Sequence, residues 1–170
     1  VAFVRGDYSL AVGDTGLRLG ANASAMHYRL TQDSLADVHG SGSARTVGLT
    51  ASYPLARRID WNETLTAALD HRVLIDRTAA GESGNRRVSA LNVGVSGYRT
   101  SLSSGAVHSF GANLVAGYSN QHNELARGQD QITRQVQGSF GKLALSAASL
   151  VPLSADWTAN ANLRGQFAGS

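Results

Sequence analysis

Apolar and polar residues alternate one by one along most of this chain, most plainly from Trp157 to Ala168. Trp157, Ala159, Ala161, Leu163, Gly165 and Phe167 form one set; Thr158, Asn160, Asn162, Arg164 and Gln166 form the other. Successive side chains of a strand point to opposite faces, so this stretch predicts a strand with one apolar and one polar face. The same period recurs upstream. Ala2, Val4, Gly6, Tyr8, Leu10 and Val12 oppose Phe3, Arg5, Asp7 and Ser9; Leu17 to Ala25 opposes Arg18, Gly20, Asn22 and Ser24. Val47 to Tyr53 opposes Thr46 to Ser52; Leu65, Ala67, Leu69 and Val73 oppose Asn62, Thr64, Thr66, Ala68, Asp70 and Arg72. Leu91, Val93 and Val95 oppose Asn92, Gly94 and Ser96, and Phe110 to Tyr118 opposes Gly111 to Gly117. Gly138 to Leu150 repeats the pattern less cleanly, with Leu143, Leu145 and Ala147 against Lys142, Ala144, Ser146 and Ala148.

The pattern predicts eight antiparallel strands of roughly 10–15 residues, against about 9–11 for a tilted strand crossing a bilayer and about 5–6 for an ordinary soluble strand. Between them, short turns such as Gly13-Asp14-Thr15-Gly16 alternate with polar, aperiodic stretches at Thr31 to Ser43, Asp76 to Arg87 and Asn120 to Gln135, which read as long loops. Pro54 has no N–H to donate and belongs at a strand end. Short connections on one side and long ones on the other are the habit of outer-membrane barrels, which sets the first strand running inward and the last outward. The apolar face carries no charge at mid-strand; Arg45, His71 and Arg99 fall on it towards strand ends. Tyr28, Tyr53, Trp61, Phe110, Tyr118, Trp157 and Phe167 collect at strand ends, as interfacial girdles would.

Composition narrows the chemistry. The 170 residues include 19 Gly, 2 Pro and no Cys, with net charge +3 and no basic run suited to nucleic acid. No stretch is apolar enough for a transmembrane helix. No secretory signal opens the chain, which therefore reads as a fragment of a longer exported protein. There is no H-E-x-x-H, G-x-S-x-G, Walker or EF-hand pattern, so no enzyme activity, metal or cofactor is expected. His27, His39, His71, His108 and His122 lack ligand spacing. Asp33, Asp37, Glu124 and Asp130 lie in predicted loops and could meet cations, though loop acids are common.

The residue pattern thus predicts an all-β fold, an antiparallel transmembrane β-barrel segment of eight strands in the bacterial outer membrane. Its lipid-facing side is apolar and its lumen polar. The expected lumen residues are Arg5, Asp7, Arg18, Asn22, Asp70, Arg72, Asn92, Asn113, Asn160, Asn162, Arg164 and Gln166. Asp70 and Arg72 could form a charge network or stand as separate solvated wall residues. Two rivals remain: a complete small eight-stranded membrane barrel with a structural or adhesive role, and a soluble ligand-binding barrel with an apolar interior.

Particular residues resemble a known family. Ser52-Tyr53-Pro54-Leu55 with Arg57-Arg58, Trp61-Asn62 and Leu65 resembles a strand-turn-strand of the two-partner secretion transporters, the haemolysin activation/secretion proteins of the ShlB/FhaC/HecB type. Phe140-Gly141-Lys142-Leu143, Leu150 and the Trp157 to Ala168 stretch are similar to that family's mid-barrel strands. The resemblance implies a sixteen-stranded outer-membrane barrel behind periplasmic POTRA domains, exporting a secreted partner protein of the adhesin or cytolysin class without ATP. Residues 1–170 would then be a partial barrel domain, the fourth to the eleventh strands. The family's V-R-G-Y loop would follow this stretch, so no functional residue of the family maps onto a position here.

Overall fold

The computed structural model describes residues 1–29, 40–79, 81–122 and 137–169. They form eight strands: β1 (Ala2–Val12), β2 (Leu17–Arg29), β3 (Ser41–Arg57), β4 (Trp61–Thr78), β5 (Gly81–Thr100), β6 (Val107–Gln121), β7 (Gly138–Pro152) and β8 (Thr158–Gly169). All belong to one antiparallel sheet in sequence order, each paired with the next. Connections at one end are short and closed by backbone bonds: Arg58 N–H donates to Trp61 O at 2.7 Å, Ser101 to Ala106 at 2.8 Å and Leu153 to Trp157 at 2.8 Å.

The sheet is a single layer. Among the described residues the only buried apolar side chain is Ala106. In the central strands exposure runs opposite to that of a soluble sheet. Along β5, Ser89, Leu91 and Val93 are exposed, while Ala90 and Asn92 are half-buried and Gly94 is buried. Along β6, Leu114, Ala116 and Tyr118 are exposed, while Val115 and Gly117 are half-buried and Ser119 is buried. The apolar face is therefore convex and the polar face concave, because side chains converge on the inside of a curved sheet and splay on the outside. A soluble ligand-binding barrel requires the inverse, so that reading is overturned. Nor do the edges close a small barrel: among the described residues β1 pairs only with β2 and β8 only with β7.

The uncharged convex band has a height suited to a membrane. On β5 it lies between Arg87 and Arg99 and holds Ser89, Leu91, Val93, Val95 and Gly97. Residues 88–98 are 11 positions; at about 3.3 Å each and a tilt of about 45° they rise roughly 25 Å, the usual apolar height of an outer-membrane barrel.

Four expectations are corrected. Asp76 to Arg87 is no long loop. β4 and β5 stay paired through it as far as Thr78 and Gly81, with one register shift between Asp76 and Arg77, leaving two positions between the strands. Beyond the apolar band both faces carry polar residues, so period-two patterning disappears although the ladder persists. His71 is consequently the eleventh residue of the 18 in β4, not near its end. It is accommodated by its Nδ1, 2.9 Å from Ser89 Oγ, in the same register row as Tyr118. Tyr28 does not join a convex girdle, since its register with Gly42 puts it on the concave face. Pro54 lies inside β3 near its end, where a register shift between Pro54 and Ala56 leaves Leu55 unpaired and relieves the missing donor. Most of the other two predicted loops, with Asp33, Asp37, His39, Glu124 and Asp130, lies outside the described residues.

Candidate functional site

Register brings the polar sets of all eight strands to the concave face. Arg5 and Asp7 stand on β1, Arg18 and Asn22 on β2, Asp70 and Arg72 on β4. Asn92 stands on β5, Asn113 on β6, and Asn160, Asn162, Arg164 and Gln166 on β8. All twelve share that face, because directly paired residues of an antiparallel sheet project to the same side.

Two groups of them come together. In the first, one register row runs Asp7, Asn22, Gly48, Asp70. Arg5 Nη2 lies 2.8 Å from Asp7 Oδ1, an exposed ion pair. Asn22 and Asp70, on strands that are not neighbours, both lean over Gly48: a Cβ placed there would meet the Asp70 carboxylate and lie 2.8 Å from Asn22 Nδ2. The glycine leaves the space in which an amide and a carboxylate from two strands approach one another. Arg5 also lies in the field of Asp70. In the second group, Asn113, Arg164 and Gln166 line a hollow of about 570 Å³ with Thr66, Ser96 and Ser146.

The remaining residues are placed separately. Arg18 Nη2 donates to Ser9 Oγ at 3.0 Å, and Asn162 Nδ2 donates to Asn160 Oδ1 at 2.8 Å. Asp70 and Arg72 share the face without an ion pair between them; Asp70 turns towards Asn22 instead. Asn92 sits in the row of Ala68 and Val115, with no second amide beside it.

The same face holds residues that residue-type reasoning passed over. Thr46, Thr50, Ser52, Ser96 and Ser146 complete the hydroxyl lining, and parity alone assigns them to it. Tyr28 shares the parity of Asn22, and Asp76, read as loop, that of Asp70. Their hydrogen bond spans β3, with Tyr28 Oη donating to Asp76 Oδ1 at 2.7 Å. The face thus carries amides, hydroxyls and interspersed charges of both signs, crossed at one level by an apolar row of Phe3, Met26, Ala44 and Leu74. No group of three or more metal-ligating side chains occurs among the described residues.

No family model matches the chain, and no curated protein matches it. Among solved structures it is similar to CdiB from Acinetobacter baumannii, with a TM-score of 0.65 at 19% identity, covering 99% of this chain and 29% of that one. The chain thus spans less than a third of the length of the protein it matches. At that identity the likeness is one of fold, and the fold is all-β and antiparallel, that of a β-barrel segment.

Proposed function

We propose that this chain is part of the barrel of an outer-membrane transporter, and that its concave polar face lines the path of an exported polypeptide. One observation carries the reading: the curvature puts apolar side chains outside and hydrogen-bonding ones inside. Leu49, Leu114 and Leu163 are 61%, 55% and 74% exposed on the convex side, whereas Asn22, Asp70 and Asn92 sit half-buried on the concave one. Such a sheet is stable only where hydrocarbon covers the first set and water the second. CdiB, a two-partner secretion outer-membrane transporter, supports the same reading at the level of fold.

On this reading residues 1–170 are a partial barrel domain of a sixteen-stranded pore, with POTRA domains and further strands elsewhere in the protein. The partner is a secreted protein of the adhesin or cytolysin class. The chemistry asked of the wall is not catalysis. An unfolded chain in transit exchanges its hydrogen bonds to water for transient ones to amides and hydroxyls. The apolar row on that wall, Phe3, Met26, Ala44 and Leu74, is flanked by polar rows, and folding outside draws the chain forward.

Residues 1–170 contain no Cys, so a cysteine introduced here reports on this segment once the parent protein is labelled in parallel. Asn162→Cys in the full-length protein should react with a water-soluble maleimide and cross-link to a partner arrested in transit. Leu163→Cys should react only with a lipid-soluble reagent. Equal labelling of both by the water-soluble reagent, or partner cross-links from Leu163→Cys alone, would refute the reading.

A further inference from the structure

The convex face carries a second feature, at the end where β4 and β5 outrun β1. Arg29 pairs with Ser41, and Ser41 with Arg77; Arg45 pairs with Val73, and Val73 with Arg87. All four arginines therefore project to the convex side. Within each row two of them stand two strands apart, about 10 Å at the backbone, and the rows are about 13 Å apart along the strands. Between the rows lies a hollow of about 380 Å³. Its rim includes His27, Arg45 and Arg77, and its floor Ser43, Val73 and Ile75. The four arginines and His27 are exposed, whereas the floor is half-buried.

Charge on this patch is predominantly positive. Among the described residues Glu82, opposite Arg77 in register, is the only carboxylate on the convex face at this end. Asp76 lies on the other face, bonded to Tyr28. The hollow opens above the apolar band, its floor separated from Leu69 and Leu91 by the single row of His71 and Ser89. Guanidinium forks suit phosphate oxygens, which they can hold in pairs of parallel N–H bonds. Val73 and Ile75 between them suit the first carbons of an acyl chain. A free phosphate would use the arginines and leave that apolar floor without a role.

We propose that this patch binds the phosphorylated headgroup of an outer-leaflet lipid, with Arg45 and Arg77 as its principal phosphate ligands and Arg29 and Arg87 flanking them. The proposal rests on the membrane-spanning reading above and extends it to a lipid site on the opposite face from the transport path. Bound lipid would tie β2, β3, β4 and β5 together at the level where the β4–β5 hairpin leaves the membrane.

The test is titration of the full-length protein in detergent micelles, read by native mass spectrometry, with diphosphoryl lipid A, dephosphorylated lipid A and inorganic phosphate. Arg45→Gln/Arg77→Gln should lower affinity for diphosphoryl lipid A by about tenfold or more. Arg58→Gln, in the β3–β4 connection at the opposite end, should leave it unchanged. Undiminished affinity in the double variant overturns the proposal, as does equal binding of the dephosphorylated lipid. Competition by equimolar inorganic phosphate would make this a free-anion site and overturn the lipid assignment. Heat-modifiable migration of each variant separates the two readings. A parent protein that does not insert into membranes refutes both; an inserted one whose double variant binds normally refutes only this one.

Discussion

The Tyr28 hydroxyl donates to the Asp76 carboxylate at 2.7 Å, although β2 and β4 are separated by β3. The ring crosses Gly42 at van der Waals distances that leave no space for a Cβ, which would lie 2.6 Å from Tyr28 Oη. Curvature towards this face makes the reach possible. Tyr28→Phe should cost about 0.5–1 kcal/mol in reversible urea unfolding, the range for one solvent-accessible hydrogen bond to a charged group after discounting for exposure. Gly42→Ala should cost more, since it displaces the ring as well as breaking the bond. The reverse order would mean that the ring does not rest on Gly42.

Gly48 has the same role six residues further along β3, beneath Asn22 and Asp70. Gly48→Ala should destabilise by about 1–3 kcal/mol, the range for overpacking. Gly141→Ala, whose new methyl would have open space around it, should stay within about 0.5 kcal/mol of the parent. Paired unfolding titrations of the two variants check the contrast; a neutral Gly48→Ala would show that the two side chains do not converge.

On β8, neighbours should differ sharply. Leu163→Arg puts a charge on the convex face and should cost about 2–4 kcal/mol near mid-membrane, seen as loss of the heat-modifiable folded band. Asn162→Arg should assemble normally and alter conductance of the complete pore. Equal assembly of both would remove the distinction between the faces.

Arg5 and Asp7 form an exposed ion pair with side chains 58% and 55% accessible. Pairs of that kind contribute little to stability. Asp7→Asn should therefore leave the thermal transition where it was and shift the ion selectivity of the pore towards anions, because it frees Arg5. Planar-bilayer reversal potentials in a salt gradient read this directly. A lowered transition with unchanged selectivity would mark the pair as structural.

Much of this architecture was legible from alternation alone. Every strand except the tips of β3 to β7 follows from period-two patterning, and so does the shared face of residues as distant as Arg5 and Gln166. The signal failed where its cause was missing. Between Asp76 and Arg87 both faces are polar, so nothing sorted the residues by parity, and a hairpin held by backbone bonds read as loop. His71 followed from that error, because its distance from a strand end was measured to the wrong end. Tyr28 failed differently: an aromatic near a strand terminus fits a girdle, but its even spacing from Asn22 puts it on the polar face, where its register with Gly42 also places it.

By itself the sequence determined that the chain makes long two-faced strands, because alternation is a local property written residue by residue. It also determined which residues share a face. Alternation is symmetric with respect to inside and outside, however, and leaves open which face is enclosed. Only the tertiary structure decided that, through curvature: the sheet bends towards the side where Gly48, Gly42 and Gly94 leave space for converging polar groups. The Trp157 to Ala168 stretch thereby presents Asn160, Asn162, Arg164 and Gln166 to the enclosed side and Leu163 to the outside.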